Sequence, residues 1–269
     1  MKRHIIATNS LMILTLLAGA VTLSLAIWVS SAWALAVALM LIIIVVVASA
    51  GKAVRMVAKQ QDNLYAQTEA LMQLNQALNP RSLLPSMRGY AGSPDFLVWL
   101  YREIKQRKPK VIVEASSGVS TLVCGYALEQ LGEGRVVSLE HHEFFAGISR
   151  NNVEQHQLQA IVNVCHAPLK EHTIEGASWQ WYDFDIADLP EQIDMLVIDG
   201  PPRRTQSLAR YPALPLLKSR LAKNAVIFID DAARADEKAM VKRWKQEFPN
   251  LEISQLPAEK GLTVIRLAE

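Results

Sequence analysis

Four acids, Glu114, Glu140, Asp199 and Asp230, each close a short apolar run, and the first is followed at once by small residues. The segment Val111–Thr121 reads Val-Ile-Val-Glu-Ala-Ser-Ser-Gly-Val-Ser-Thr. That is a β-branched strand, a tight turn, and a helix N-terminus whose unpaired backbone N–H groups point at a ligand. Open α/β sheets bind nucleotide-type ligands at such turns, outside the carboxyl ends of their strands. Glu140 follows Glu114 by roughly 25 residues, close to the offset at which an acid accepts hydrogen bonds from ribose hydroxyls. Asp199 precedes Gly-Pro-Pro-Arg203-Arg204, and Asp230 is doubled by Asp231. Carboxylates gathered along one edge repel one another unless protons or a cation intervene, and an all-oxygen set suits Mg²⁺ or Ca²⁺. A structural reading stands beside the metal: Asp231 as N-cap of the next helix, Asp230 holding a backbone N–H.

The elements that must position these acids alternate. Short apolar runs predict strands over Val111–Glu114, Arg135–Glu140, Ile161–Cys165, Met195–Asp199, Ala225–Asp230 and Leu262–Arg266. Helical patterns fall at Phe96–Gln106, Ser120–Leu131, Glu143–His156, Thr205–Leu221 and Ala233–Phe248. Continuous apolar strands between helices imply an α/β fold with a doubly wound, mostly parallel sheet. Arg203 and Arg204 then start a helix, where the dipole disfavours cations by about 0.3–1 kcal/mol each, which points to an anionic partner or to plain solvation. Trp179-Gln-Trp181-Tyr182 packs an insertion on the sheet or forms a lid. Cys124 and Cys165 lie in apolar segments without metal spacing and read as reduced core residues.

The strand–turn–helix at 111–121, with Glu140 and Asp199, resembles a class I S-adenosylmethionine (SAM)-dependent methyltransferase, and the resemblance covers roughly Ser93 to Ala268. Gly118 matches the second glycine of that pattern; Ser116 replaces the first. The nicotinamide fingerprint, which needs three glycines, fits less well. The resemblance implies that Glu114, Ala115, Ser116, Ser117, Gly118 and Thr121 surround SAM, with Glu114 at its amino-acid end. It assigns Glu140 to the ribose and places His141, and His166 near it, beside the adenine. Asp199, Asp230 and Asp231 resemble the metal-binding acids of catechol O-methyltransferase-like enzymes. Asp199 is then the proton acceptor, alone or with Mg²⁺ or another divalent cation, and Arg203 orients an anionic acceptor. The rival reading is a SAM-binding or scaffolding module that retains the fold without catalysis, and Ser116 is the feature in its favour.

The chain has 269 residues, a formal net charge of +2 and a hydrophobic fraction of 51%. No long basic run supports nucleic-acid binding. The apolar excess is local: Ile5–Ala50 contains no charged residue. One helix of that length would measure roughly 70 Å against about 30 Å of hydrocarbon, so two spans are expected, turning near Trp28–Trp33. A cleaved signal peptide is disfavoured because the apolar region far exceeds the usual length. Lys2 and Arg3 on one side, and Lys52, Arg55 and Lys59 on the other, place both ends in the cytoplasm, with the hairpin in the inner membrane. The expected domains are a transmembrane hairpin (1–51), a stalk helix (52–80) and a methyltransferase domain (81–269). Val57, Leu64, Leu71 and Leu78 recur at heptad spacing, but Gln61, Thr68 and Asn75 weaken a coiled coil. The stalk therefore packs on the domain, lies on the membrane, or pairs in a homodimer. A cytoplasmic-face enzyme suits a small-molecule, glycan or lipid-linked acceptor.

Overall fold

The computed structural model describes residues 2–28, 31–185 and 189–267. The chain divides into two compact units, Met1–Tyr65 and Ala66–Glu269.

The first unit is helical. Helix α1 covers Lys2–Trp28 and α2 covers Ser31–Leu78. The expected turn falls partly on residues 29 and 30, outside the described residues. Among the described residues one helix, Leu35–Leu78, is long and apolar enough to cross a membrane. Helix α2 runs on from the apolar into the polar segment without a break at Gly51. One glycine costs a helix only about 1 kcal/mol, and no proline intervenes before Pro80.

In the second unit the last turns of α2 are packed. Ala70, Leu74 and Leu78 are buried, whereas Leu71 is exposed. The buried face follows the i, i+4, i+8 spacing of a helix on a globular core rather than the heptad seam. The elements that follow are α3 (Pro94–Arg107), β1 (Val111–Ala115), α4 (Val119–Glu129), β2 (Arg135–Glu140), α5 (Glu143–Gln155) and β3 (Val162–His166). Then come β4 (Leu169–Ile174), β5 (Ala177–Tyr182), β6 (Ile193–Ile198), α6 (Ala213–Leu217), β7 (Leu221–Ile229), α7 (Ala235–Glu247), β8 (Leu251–Leu256) and β9 (Leu262–Leu267).

A seven-stranded sheet has the order β3-β2-β1-β6-β7-β9-β8. Strands β3, β2, β1, β6 and β7 are parallel, and β9 pairs antiparallel with β7 and with β8. Alternate residues of each strand feed two apolar layers. Ile112, Met195 and Phe228 pack towards α3 and α4, while Val113, Leu196 and Ile227 pack towards α6 and α7. This is the expected doubly wound sheet. Strands β4 and β5 form a separate antiparallel hairpin.

One expectation fails in a way that reshapes the site. The helix expected over Thr205–Leu221 is an irregular loop as far as Pro212, with α6 confined to five residues and followed by a 3₁₀ turn. Pro212 and Pro215 fix φ and remove two N–H donors, so a helix can begin only at that point. Arg203 and Arg204 therefore do not start a helix, and the dipole argument for an anionic partner lapses.

Candidate functional site

Strand β1 delivers Glu114 into the interior, fully buried. Its Oε2 accepts hydrogen bonds from Thr121 Oγ1 (2.5 Å) and Ser138 Oγ (2.8 Å), while its Oε1 accepts none. Burial is the main cause that lifts its carboxyl to about 7; the hydroxyls of Ser120, Thr121 and Ser138 pull it down, and Glu140 adds to the rise. A buried carboxylate oxygen without a donor is costly. An ammonium group placed against Oε1 would supply both donor and counter-charge.

The turn after β1 is shaped by two residues of opposite character. Ser116 has φ 102°, a left-handed conformation that costs a non-glycine residue about 1–2 kcal/mol. The glycine that serine displaces from the motif is thus one the backbone would favour. Gly118 is extended (φ 167°), and a Cβ added there meets no atom within 4 Å. Nothing in the protein requires glycine at 118, yet the open space above it is what a closely approaching ligand needs. Its N–H donates to Thr121 Oγ1 (3.0 Å), which also holds Glu114, so one hydroxyl ties the turn to the acid. Ala115 is buried, and its carbonyl accepts from the N–H groups of Asp199 (3.1 Å) and Gly200 (2.8 Å). The turn and the end of β6 are therefore joined directly.

Glu140, 3% exposed, ends β2 beside this turn. Its Oε2 accepts from Ser117 N (3.2 Å) and Ser117 Oγ (3.3 Å), and its Oε1 from His142 N (3.0 Å), with His141 Nδ1 also at 3.0 Å. Desolvation raises its pKa, but the neighbouring His141 ring and the N–H donors of His142 and Ser117 outweigh that and leave the carboxyl below its ordinary value. Glu140 is an ionised acceptor. His141 stands edge-on to Tyr182, with centroids 6.2 Å apart. His166 is exposed at the end of β3.

Asp199, Asp230 and Asp231 follow directly on β6 and β7 and come together, each offering an oxygen within 4.8 Å of the others. The structure adds a residue that the sequence pattern did not suggest. The guanidinium of Arg210, 4% exposed, sits among them. Its Nη2 donates to Asp231 Oδ2 (2.8 Å), Asp199 Oδ1 (3.2 Å) and the Asp199 carbonyl, and its Nη1 donates to the Asp230 carbonyl (2.7 Å). Glu237 lies 3.8 Å away, and Arg234 pairs with Asp231 at 2.7 Å. Burial pushes the Asp199 carboxyl well above its ordinary value; Arg210 opposes the shift, and Asp230 and Asp231 add to it. Asp230 is raised to about 6, first by burial and then by Asp231.

A divalent cation fits this arrangement poorly. Any ion bonded to Asp231 Oδ2 lies within about 5 Å of Nη2, a repulsion of about 7 kcal/mol at an effective dielectric of 20. Among the described residues, Asp230 Oδ2 is the trio's buried oxygen without a partner. The N-cap reading of Asp231 fails as well: α7 starts after Arg234, and Asp231 has φ 58°. The other half of that reading holds, since Asp230 Oδ1 accepts the Asp231 N–H (2.7 Å).

Arg203 is 64% exposed and pairs with Asp236 Oδ2 at 3.2 Å; Arg204 is exposed. Neither is drawn in among the clustered acids. Trp181 and Tyr182 are fully buried in β5, which packs the insertion on the sheet. The Tyr182 hydroxyl has no partner and lies where a Cβ on Gly200 would come within 2.3 Å of it. Glu140, Arg210, Asp199 and Glu114 all act on it electrostatically.

A parallel sheet with an antiparallel edge, a small-residue turn after its first strand and acids closing its central strands define a class I methyltransferase fold. Residues 115–232 match the Methyltransf_24 family, a methyltransferase domain, and the chain is a SAM-dependent methyltransferase of that class. The fold is shared with the SAH-bound methyltransferase PaMTH1 of Podospora anserina: 17% identity, TM-score 0.56, covering 78% of this chain and 96% of that one. It is shared also with the O-methyltransferase from Bacillus cereus in complex with SAH: 20% identity, TM-score 0.50, covering 76% and 91%. No curated protein matches the chain in sequence.

Proposed function

We propose that this enzyme is a membrane-anchored O-methyltransferase acting at the cytoplasmic face on a carbohydrate-type or lipid-linked hydroxyl. The observation that carries the reading is the join between turn and base. The Asp199 N–H is bonded to the carbonyl of Ala115, so a carboxylate of raised proton affinity stands one residue from the cofactor turn. Bound SAM supplies an electrophilic methyl group, and alignment and water exclusion are what remain for the protein to provide. Glu114 Oε1 holds the α-ammonium, Glu140 accepts from the ribose, and Gly118 lets the ligand approach the backbone. An alcohol must lose its proton as the new bond forms, and Asp199 takes it. Its side chain, 11% exposed, is the most open of the three clustered acids.

The apolar helix of the first unit supports an anchor, and the flanking charges at Lys2, Arg3, Lys52, Arg55 and Lys59 support two spans with a cytoplasmic domain. An enzyme so tethered meets acceptors carried on lipid at high local concentration. The test is transfer of labelled methyl from SAM, by the full-length protein in vesicles, to glycolipid and polysaccharide-precursor fractions of the same membranes. Label in the lipid-linked fraction is the expected result. Label confined to free small molecules or protein would sink the acceptor assignment.

A further inference from the structure

We propose that Arg210 is the resident cation of the acidic cluster, and that this enzyme works without a divalent metal at Asp199, Asp230 and Asp231. The inference rests on the reading of Asp199 as proton acceptor, and it assigns Arg210 the task of positioning that acid.

Geometry carries the argument. A metal in this trio would gather carboxylate oxygens around a point. Arg210 instead engages two carboxylates and two main-chain carbonyls at once, those of Asp199 and Asp230. It thereby stitches the ends of β6 and β7 together while offsetting part of the negative charge between them. A planar fork of donors does this; a spherical ion or a lysine ammonium does not. The arginine is delivered by a built support. Its neighbour Tyr211 is fully buried, with its carbonyl bonded by Trp244 Nε1 (3.1 Å) and its hydroxyl held by Glu247 at 3.0 Å. Arg234 adds a second positive charge on Asp231. Three acids (Asp199, Asp231 and Glu237) thus pair with two arginines within 4 Å, while Asp230 is held by Arg210 through its main-chain carbonyl. One carboxylate oxygen of each trio member already has a donor: Asp199 Oδ1 and Asp231 Oδ2 from Arg210, and Asp230 Oδ1 from the Asp231 N–H.

The experiment uses full-length protein in detergent micelles, with Mn²⁺ as the probe followed by electron paramagnetic resonance. SAH binding is measured separately by calorimetry, so that loss of the cofactor reading registers on its own. Wild-type protein should hold no stoichiometric Mn²⁺. Arg210→Gln, which removes the cation while leaving the acids, should bind one Mn²⁺ at least about tenfold more tightly than wild type. An arginine that served only to brace the loop would give no such gain. One equivalent of Mn²⁺ on wild type, lost in Asp230→Asn, overturns the proposal. So does a folded Arg210→Gln protein with unchanged Mn²⁺ affinity. If that variant does not fold, the wild-type titration alone decides.

Discussion

Glu114 turns pH into a quantitative probe of the cofactor site. Its carboxyl sits at about 7, so near neutral pH roughly half of the empty protein carries a proton there. A cationic α-amino group against Oε1 requires the carboxylate, and binding at lower pH must expel that proton. Affinity should then be level above 7 and fall about tenfold per pH unit well below it. Between roughly pH 8 and 6 the loss is about tenfold, and at pH 5.5 about thirtyfold. Calorimetry with SAH in two buffers of different ionisation heat reads the proton count directly. About 0.9 proton should leave per ligand bound near pH 6, and about 0.1 near pH 8. Glu114→Gln should weaken binding and flatten its pH dependence. Equal wild-type affinity at both ends of the range, with no proton exchanged, would refute the reasoning.

The same residue has a folding consequence of fixed sign. The folded pKa, about 7, lies above the ordinary 4.5, so between those values the empty folded protein binds more protons than the unfolded chain. Stability present below 4.5 is lost as pH rises through 7, about 3 kcal/mol in all at about 1.4 kcal/mol per unit. Asp230, raised from 3.8 to about 6, acts with the same sign over a lower window. SAH should recover the share owed to Glu114 and leave that of Asp230.

Three further outcomes are expected. Gly118→Ala, facing open space, should leave unfolding free energy within about 0.5 kcal/mol while lowering SAH affinity about tenfold or more; unchanged affinity by calorimetry would move the ligand away from the turn. Ser116→Gly should relieve the left-handed backbone and stabilise the protein by about 1 kcal/mol in denaturant titrations, and a loss of stability would contradict the strain argument. Asp199→Asn should abolish methyl transfer and keep SAH affinity within a few-fold, and normal turnover would remove Asp199 from the mechanism.

The sheet was legible because its central strands are buried on both faces and so read as continuous β-branched runs ending in an acid. The hairpin β4–β5 and the edge strand β8 were not. Leu169-Lys-Glu-His-Thr-Ile is half exposed, and its apolar residues do not alternate. Its turn is Glu175-Gly176, both with positive φ (50° and 79°), a primed hairpin turn without the asparagine or aspartate that signals one. The stalk's heptad, already weakened by its polar positions, did not mark the buried face: Leu64 and Leu71 are exposed, whereas Ala70, Leu74 and Leu78 are buried. Arg210 escaped for a related reason. Read as one helix, residues 205–221 make it one more charge on an amphipathic face. Read with Pro212 and Pro215 as stops, it is a lone cation in the apolar run Leu208–Leu217, which is a signal for a buried partner.

The two halves of the site differ in where their positive charge comes from. Around the trio it is internal: Arg210 and Arg234 lie within salt-bridge distance of its acids. Around Glu114 the partners are hydroxyls, and one buried oxygen is left unmatched. On the proposed reading, the cofactor's ammonium is met on the β1 side, where no arginine is paired with Glu114. On the same reading, the β6–β7 side offers an acceptor hydroxyl the Asp199 carboxylate, hydrogen-bonded by Arg210. The same asymmetry explains why the carboxylates can be packed so densely along one sheet edge: half of them are satisfied in the empty fold, and Glu114 is lifted towards neutrality until the cofactor's ammonium arrives.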